Sequence, residues 1–440
     1  MVMSEKPPEP ILKLKKKRVE SIDAFRGFTI FSMIFVIAVA GYHNLPLTFP
    51  HFSSAPVSTF KHAAEDGDVE EWEHWEKTHP SVNFKKATID QKIKQHIYDV
   101  TVPGEKGEES KQYRKVEVVH AKPLSAGDEI IAIYREGKRP EFRGIGNGCT
   151  FTDLVAPFFV FIVGLCIPLS RQRRGREWWR HVGIRTIGLI IAGVIYISLI
   201  LKLSWWWGIL QAIGVAYFMG AAFMRLSSWK RWIAIALIAL IHGYMSWHFR
   251  WWLELGEKGR GFLTIVNPDG DPLRPLLVHC TPWASISYGL ITVVGTLLGE
   301  AIVSRDHKKI ISQSLLIGVI FAVVGYILHL FQAPMNKDYV SPSYAIFTSG
   351  IGALSFLVFY LVIDMGGYRR WSWPFKVFGA NALLAYFMQP VVRIFIMALG
   401  FYAFFAGLAG WYGMYQGFLW TALLWCVVLW CNSKKIYWKL

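Results

Sequence analysis

The chain has 440 residues, of which 53% are hydrophobic, 15% are aromatic and only 18% are charged. A soluble chain of this length would have about a quarter of its residues charged. The apolar residues also come in blocks of about twenty, the length that crosses the hydrocarbon core of a bilayer. The composition excludes a soluble enzyme, a disordered protein and a disulfide-rich secreted domain. It predicts an all-α polytopic membrane protein.

The chain is strongly basic, with 47 Lys and Arg against 31 Asp and Glu and a formal net charge of +16. In a soluble protein this excess would indicate nucleic acid. In a membrane protein, Lys and Arg collect in cytoplasmic loops and set the orientation. We therefore expect membrane lipid around the chain and no nucleic-acid partner. The five cysteines form no Cys-x-x-Cys pair, and we expect no metal site.

Residues 1–20 form a polar tail that ends in a basic run, and the first apolar stretch follows at Phe25 to Tyr42, within 21–62. Basic residues before the first span predict a cytoplasmic N-terminus. A cleavable signal peptide has a similar pattern, with Ala38-Val-Ala40 as its cleavage site. We favour an uncleaved anchor because Asp23 and Arg26 lie at the start of the span, in a motif described below.

Residues 63–146 differ from the rest of the chain because polar and charged residues dominate and no membrane span fits. Ile89 to His96 is interpreted as a short helix. Lys115 to Val119 and Ile130 to Tyr134 are interpreted as strands, with glycines marking the turns. We expect a small α+β extracytoplasmic insert between the first and second membrane helices.

Residues 147–440 contain the remaining apolar stretches, and a basic cluster follows each predicted return to one side of the membrane. The predicted spans are Phe151 to Leu169, Ile184 to Leu201, Trp206 to Phe223, Trp232 to Trp247, Ala284 to Val303, Ile310 to Leu330, Tyr344 to Ile363, Phe378 to Leu399 and Tyr415 to Trp430. With the first stretch this gives about ten transmembrane helices and two cytoplasmic termini. The glycine-rich segment from Phe401 to Gly417 is typical of a re-entrant piece or a close helix contact. We expect a multi-pass protein of a bacterial inner membrane with a periplasmic insert.

Ionisable residues within or at the ends of spans are costly in lipid and therefore informative. Asp153 opens the second span, where an acidic helix cap and a functional carboxylate are both open interpretations. Asp23 and Arg26 are three residues apart, which suits a helix-start pair with Ser21 as the cap. His242 lies among apolar residues and is more typical of helix packing than of a ligand. The sequence has no phosphate-binding loop, no dinucleotide fingerprint and no Gly-x-Ser-x-Gly motif.

Three segments follow one another along the membrane part: Arg18-Val-Glu-Ser-Ile-Asp-Ala-Phe-Arg-Gly27, Asn147-Gly-Cys-Thr-Phe-Thr-Asp-Leu-Val-Ala-Pro157 with its continuation to Ser170, and Gly208-Ile-Leu-Gln-Ala-Ile-Gly214. Weaker matches are Asn336-Lys337 with Ser341-Pro-Ser-Tyr344, and Phe378-Gly-Ala-Asn-Ala382. In this order they resemble the heparan-alpha-glucosaminide N-acetyltransferase family and its bacterial relatives. The first two segments are the more specific.

In that family a His and then a Trp directly precede the Asn-Gly of the second segment, and the His is regarded as catalytic. Residues 143–146 lack both, whereas Phe60-Lys-His-Ala-Ala64 resembles the piece that carries this His. The resemblance therefore implies that the insert splits the motif and that His62 is the counterpart. An alternative alignment places Ser54 there, with His51 or His43 as a substitute or with no activity. The missing Trp is a departure from the family pattern.

The resemblance implies acetyl transfer across a membrane, from cytoplasmic acetyl-CoA to an extracytoplasmic amino sugar or glycan. His62 would act as the base or carry the acetyl group, Asp153 would hold its imidazole, and Asn147 would donate to the developing oxyanion. For acetyl-CoA, the candidate binding residues are Arg26, Asp23, Gln211 and Asn381. A homodimer or larger membrane complex is compatible with this interpretation.

Two alternatives remain open at this stage. A transporter of a small or lipid-linked solute also uses intramembrane ionisable residues, but it predicts an internal repeat of hydropathy, and none is visible. A catalytically silent subunit of a membrane complex would explain the split motif and would use the insert for docking. The arrangement that favours the enzyme is the convergence of His62, Asp153 and Asn147 at one cavity mouth.

Overall fold

The computed structural model describes residues 19–39, 82–94, 97–104, 109–119, 124–135, 140–144, 149–201, 207–248, 284–331, 335, 337, 340–401 and 410–438. Most of these residues are helical. The remaining regular structure is a small set of strands between residues 82 and 144, which lie inside the stretch predicted as an insert.

Eleven α-helices lie in the described part of the chain. They are α1 (Glu20–Val39), α2 (Phe151–Arg174), α3 (Trp178–Leu201), α4 (Ile209–Phe223), α5 (Ser228–His248), α6 (Ala284–Ser304), α7 (His307–Phe331), α8 (Pro342–Phe359), α9 (Trp373–Ala380), α10 (Ala382–Ala398) and α11 (Gly410–Ser433). Short 3-10 turns precede α3 and α9, and α8 continues into a π-helix, Tyr360–Met365.

Every one of the ten predicted spans overlaps a helix, but the number ten is not confirmed. Among the described residues, six helical stretches are long and apolar enough to cross a membrane, or seven if one bent pair counts as a span. One of the six stretches, Phe151–Leu199, contains two of the predicted spans. Helix α4 has only 15 residues, which is shorter than a bilayer requires. The chain is an integral, multi-pass membrane protein by these helices.

Helix α6 lies at the centre of the bundle and is buried along almost its whole length. It approaches α2 at Gly164 and Gly295, where an added Cβ would collide with the backbone of the other helix. Such close approach between small residues is the usual basis of helix packing in membranes. Helix α7, in contrast, exposes Leu316, Val319 and Val323, a surface suited to lipid contact.

The strands form a closed barrel in the order β1-β2-β3-β5-β4. They are β1 (Val82–Lys94), β2 (Ile97–Val102), β3 (Lys111–Val119), β4 (Glu129–Arg135) and β5 (Glu141–Gly144). β3 and β5 pair in parallel, and the other neighbours are antiparallel. The barrel has its own core, which includes Ile89, Tyr98, Val100, Ile130 and Phe142.

The predicted strands at Lys115 to Val119 and Ile130 to Tyr134 are confirmed by β3 and β4. The predicted helix at Ile89 to His96 is wrong, because residues through Lys94 belong to β1. Irregular pairing between Ile89 and Gln91 and again between Lys92 and Lys94 breaks the alternation of buried and exposed residues. The apolar residues consequently lose the period of two that identifies a strand. The described part of the insert is all-β instead of α+β.

The predicted span at Phe378 to Leu399 is not one continuous helix. The chain bends by 71° between the helical pieces Arg370–Ala380 and Ala382–Ala398. The residue at the break, Asn381, has φ −137° and ψ 46°, which is outside the helical region. Of the segment Phe401 to Gly417, residues 402–409 lie outside the described ranges and Gly410 to Gly417 belong to α11. Gly417 lies close to Val39 of α1, as the alternative of a close helix contact predicts.

Candidate functional site

Asp153 caps the start of α2, which confirms one of the two interpretations that the sequence left open. Its Oδ2 accepts hydrogen bonds from the backbone N and from Oγ1 of Thr150, each at 3.0 Å. Its other oxygen, Oδ1, lies 3.8 Å from Nζ of Lys337. The Asp153 side chain is 1% exposed and that of Lys337 is 16% exposed. The carboxylate is therefore both a structural cap and half of a largely buried ion pair.

The start of α8 meets the start of α2 at this point. Tyr344 donates a hydrogen bond from its hydroxyl to the backbone carbonyl of Asp153. Ser341 caps α8 by accepting from the backbone N of Tyr344 at 3.4 Å, and its hydroxyl lies 3.0 Å from that of Ser343. Two motif segments that are almost 200 residues apart in sequence, at about 147–157 and 336–344, thus share one buried polar cluster. We call this cluster, Asp153, Lys337, Ser341 and Tyr344, the Asp153 end.

Cys149 lies two residues before α2 and is partly buried beside this cluster. Burial, with a further contribution from the negative charge of Asp153, raises the pKa of the Cys149 thiol well above its usual range. A thiol becomes a good nucleophile only as the thiolate. Cys149 is therefore a poor candidate for an acyl carrier, and the chemistry available here comes from oxygen and nitrogen groups.

The second polar cluster lies at the start of α1. Asp23 and Arg26 form an ion pair with Oδ1 and NH2 2.8 Å apart, as their spacing predicts. Cys166 of α2 lies within electrostatic range of Arg26 and of Arg185 in α3. The Arg185 guanidinium lies over the ring of Tyr217, 4.8 Å from its centroid. We call this cluster, Asp23, Arg26, Arg185 and Tyr217, the Arg26 end.

Two guanidinium nitrogens at the Arg26 end have unused hydrogen-bonding capacity. Nε of Arg26 and Nε of Arg185 are buried and donate to no partner among the described residues. Buried donors of this kind are uncommon, and a bound group is one explanation for them. An anion such as a phosphate matches the planar guanidinium donors.

The start of α1 is held by residues far along the chain. Asp364 in the π-helix accepts from the backbone N of Glu20 at 3.2 Å and of Ser21 at 3.0 Å. Glu20 pairs with Arg369 at 3.1 Å and also with Lys376. The prediction that Ser21 caps this helix is wrong, because Ser21 lies inside α1 and Asp364 satisfies the free N–H groups in its place.

The two ends are separated along α2. Asp153 and Cys166 are thirteen residues apart in this helix, which corresponds to about 20 Å at 1.5 Å per residue. Helix α4 runs in the same direction as α2, because Gly220 near its end approaches Ile167 near the end of α2. Gln211, at the start of α4, therefore lies toward the Asp153 end.

The four predicted acetyl-CoA residues do not form one cluster. Gln211 is 1% exposed, and its Oε1 accepts from the backbone N of Gly208 at 3.1 Å. Asn381 lies near the Arg26 end, since Gly379 packs against the backbone carbonyl of Asp23. Its amide binds the C-terminal segment, donating to the carbonyl of Ile436 at 2.8 Å and accepting from the backbone N of Trp438 at 3.1 Å. Both amides have structural contacts, and their role toward acetyl-CoA stays a prediction.

His62 and Asn147 lie outside the described residues, so the predicted convergence with Asp153 stays a prediction. The structure adds three residues that were not singled out as site residues: Lys337, Tyr344 and Arg185. Lys337 and Tyr344 belong to the weaker motif 336–344, which was the available signal. Arg185 lies at the edge of an apolar stretch, where a charged residue is costly and hence informative.

The fold and these two clusters define a polytopic helical membrane protein with separate ionisable sites at the two ends of its central helices. Residues 139–314 match the sequence model described as "Heparan-alpha-glucosaminide N-acetyltransferase, catalytic". The mouse (Mus musculus) protein named heparan-alpha-glucosaminide N-acetyltransferase is 25% identical over 379 residues, covering 67% of this chain and 55% of its own length. The resemblance seen in the motifs is confirmed: the chain is similar to the heparan-alpha-glucosaminide N-acetyltransferase family over residues 139–314 and in its match to the mouse protein.

The matches cover only parts of this chain and of the mouse protein. The chain spans about half the length of the mouse relative. The matched region contains Asp153, Gln211 and His242, but it begins within the last part of the insert. Strands β1 to β4 therefore precede the region that the family model describes.

Proposed function

We propose that this protein is a transmembrane acetyltransferase that moves an acetyl group from cytoplasmic acetyl-CoA to an extracytoplasmic amino sugar or glycan. The single observation that carries the proposal is the meeting of two motif segments at the Asp153 end. The Asp153 carboxylate, which lies within the matched region 139–314, is held there beside the partly buried Lys337 ammonium and the Tyr344 hydroxyl, which follow that region in the sequence.

The Arg26 end suits the donor. Acetyl-CoA supplies the acetyl thioester, and its phosphates match the open guanidinium donors of Arg26 and Arg185. Arg171, Arg173 and Arg174 at the end of α2 add positive charge on the same side of the bundle. The basic residues at each return predict that this side is cytoplasmic, which supports donor entry from the cytoplasm.

The Asp153 end suits the acceptor. An amine attacks a thioester only when unprotonated, so a base with a pKa near neutrality is needed, and His62 remains the proposed group. Asp153 would fix the imidazole through Oδ1, the oxygen that faces Lys337. Lys337 would stabilise the negative charge that develops on the carbonyl oxygen. As the N–C bond forms, the C–S bond breaks, and the amine proton passes through His62 to the departing sulfur.

The test is release of free CoA from acetyl-CoA by the purified full-length protein in detergent, with glucosamine as acceptor. Wild type is compared with His62→Ala and Lys337→Met. We expect turnover by the wild type and a loss of about 100-fold or more in either variant, the usual effect of removing a general base or a charge-stabilising group.

The matched control is His307→Ala, which removes an exposed histidine at the start of α7 that bonds only the Tyr360 hydroxyl among the described residues. Its turnover should equal that of the wild type. Turnover that survives His62→Ala would overturn the assignment of the base. If the wild type neither turns over nor binds acetyl-CoA, the enzyme proposal fails and the transporter or structural-subunit hypothesis replaces it.

A further inference from the structure

The barrel has the strand order of the OB-fold. Five strands close in the order 1-2-3-5-4, with a parallel β3–β5 pair. Barrels of this type bind oligosaccharides or oligonucleotides on the face formed around strands 2 and 3. Architecture alone does not establish a ligand, because the side chains on this face decide what it can bind.

A pocket of about 570 Å³ opens on the outer face of β1, β2 and β3. Its volume falls within the usual range for small-ligand sites, roughly 300–1,000 Å³. Most of its lining is polar, with two amides, two carboxylates, two cationic groups and one exposed aliphatic side chain: Asp90, Gln91, Ile93, Asp99, Gln112, Arg114 and Lys115. The site therefore lies on the face that this architecture uses for binding.

The backbone is irregular where it forms this pocket. Pairing is shifted in β1 on both sides of Gln91 and Lys92, and again between β2 and β3 at Asp99. Lys115 has φ +49°, a left-handed conformation that is uncommon for a residue other than glycine. Its displaced backbone N donates to Oδ1 of Asp99 at 2.7 Å. Bulges and strained residues of this kind re-aim side chains and concentrate at functional sites.

The carboxylates of the pocket are already hydrogen-bonded, whereas its cations are not. Oδ2 of Asp99 accepts from the amide of Gln91 at 2.6 Å, and Oδ2 of Asp90 accepts from the Thr101 hydroxyl at 2.8 Å. The side chains of Arg114 and Lys115 are exposed and lie within electrostatic range of Asp99, but they make no hydrogen bond with the described residues. Lys92 and Lys111, on β1 and β3, are also exposed. The cationic hydrogen-bond donors that remain unused on this face therefore favour an anion.

We propose that this barrel face binds an acidic oligosaccharide, the chain that carries the acceptor amine. The placement of the barrel on the acceptor side rests on the proposed function. Gln91 and Gln112 offer amides to sugar hydroxyls, Ile93 offers an apolar surface to a ring face, and Arg114 with Lys115 pairs with a carboxylate. The lining contains no aromatic side chain among the described residues, whereas single-stranded nucleic acid sites stack bases on aromatic rings.

The test measures binding to the full-length protein in detergent by titration calorimetry. The acidic probe is a hyaluronan hexasaccharide, and the neutral probe of equal length is chitohexaose. Arg114→Gln should weaken hyaluronan binding about tenfold, the effect of one charge-assisted hydrogen bond. Gln112→Ala is a second variant that preserves charge and should also weaken binding.

Ala126→Glu is the matched control, because it changes the charge of the barrel by the same one unit at an exposed turn outside the pocket. Its effect should stay within about twofold, as expected for a screened surface charge. Equal weakening by Arg114→Gln and Ala126→Glu, equal affinity for chitohexaose, or tighter binding of an oligo-dT octamer would each overturn the proposal.

The saccharide site and the acetyltransferase can be tested independently of each other. Turnover with free glucosamine does not need the barrel face, so it is measured in the wild type and in the control Ala126→Glu, whose turnover should be equal. Specific hyaluronan binding without any acetyl-CoA turnover would support the saccharide site and contradict the acetyltransferase. Turnover without saccharide binding would support the acetyltransferase and contradict the saccharide site.

Discussion

The Asp153 end and the Arg26 end differ in how their charged groups are satisfied. At the Asp153 end, the carboxylate accepts two hydrogen bonds and pairs with Lys337. At the Arg26 end, two guanidinium nitrogens are buried without a partner in the described part of the protein. The charged groups of the first end are satisfied by described residues, whereas the second end keeps donors that no described residue accepts. This difference is why we propose chemistry at the Asp153 end and an anionic ligand at the Arg26 end.

The barrel repeats the same distinction on a smaller scale. Asp99 and Asp90 accept hydrogen bonds within the barrel, whereas Arg114 and Lys115 are exposed and their side chains form no hydrogen bond with the described residues. In both regions the carboxylates are hydrogen-bonded or paired within the protein, whereas some cationic donors have no acceptor among the described residues. Three substitutions and one pH titration test this difference, in order of decreasing effect.

Asp153→Ala should have the largest effect. It removes two buried hydrogen bonds and leaves the Lys337 ammonium without its counter-charge, which should destabilise the protein by about 2–4 kcal/mol and abolish turnover. Thermal unfolding in detergent measures the first effect and CoA release the second. The double variant Asp153→Ala, Lys337→Met should recover about 1–2 kcal/mol, because no buried charge is then left unpaired.

Asp306→Ala is the control for this substitution, because Asp306 also caps a helix but is exposed, accepting from the backbone N of Lys308 at 2.9 Å. It should cost about 1 kcal/mol or less and leave turnover intact. Equal losses in the two variants would contradict a special role for the Asp153 end.

Gly27→Ala tests whether the Arg26 end depends on close helix packing. An added Cβ would collide with the backbone carbonyl of Phe375 in α9, so we expect a loss of about 1–3 kcal/mol, typical of overpacking. Gly183→Ala is the matched helical control, since nothing lies within 4 Å of its added Cβ. It should be neutral or stabilise slightly. A melting temperature unchanged by Gly27→Ala would show that α1 and α9 are not in the described contact.

Arg26→Met tests the anion site with a smaller effect on stability. The KM for acetyl-CoA should rise about tenfold with little change in kcat, since a charge-assisted contact to the bound donor is lost. Lys309→Met, an exposed basic residue on α7, should leave KM unchanged. A fall in kcat at constant KM would move Arg26 from donor binding to the chemical step.

The smallest effect concerns Asp99 in the barrel. The hydrogen bond from Gln91 and then that from the Lys115 backbone lower the pKa of Asp99 below its ordinary value of 3.8. A carboxyl whose pKa is lower in the folded state stabilises the fold above the unfolded value, and this stability is lost as the pH falls from about 3.8 through the folded pKa. Amide hydrogen exchange of the barrel strands between pH 2 and 5 should show this loss, and Asp99→Asn should flatten it. A wild-type pH profile as flat as that of Asp99→Asn would contradict this role of Asp99.

Much of the architecture was predictable from the sequence. Apolar blocks of about twenty residues have few alternatives to membrane helices, because an unpaired backbone is too costly in lipid. The pairing of Asp23 with Arg26 follows from helical spacing, and the cap at Asp153 follows from its place at a helix start. The family resemblance depended on local motifs and was therefore also accessible.

What local patterns could not supply is contact between distant segments. The sequence was enough to predict a helical membrane protein that resembles this family, the Asp23–Arg26 pair and two strands of the insert. It did not reveal that Lys337 and Tyr344 meet Asp153, that Asp364 caps α1, that the chain bends at Asn381 or that the insert closes as a barrel. These features depend on which backbone groups of remote elements satisfy one another, and in β1 the bulges also erase the periodicity that marks a strand.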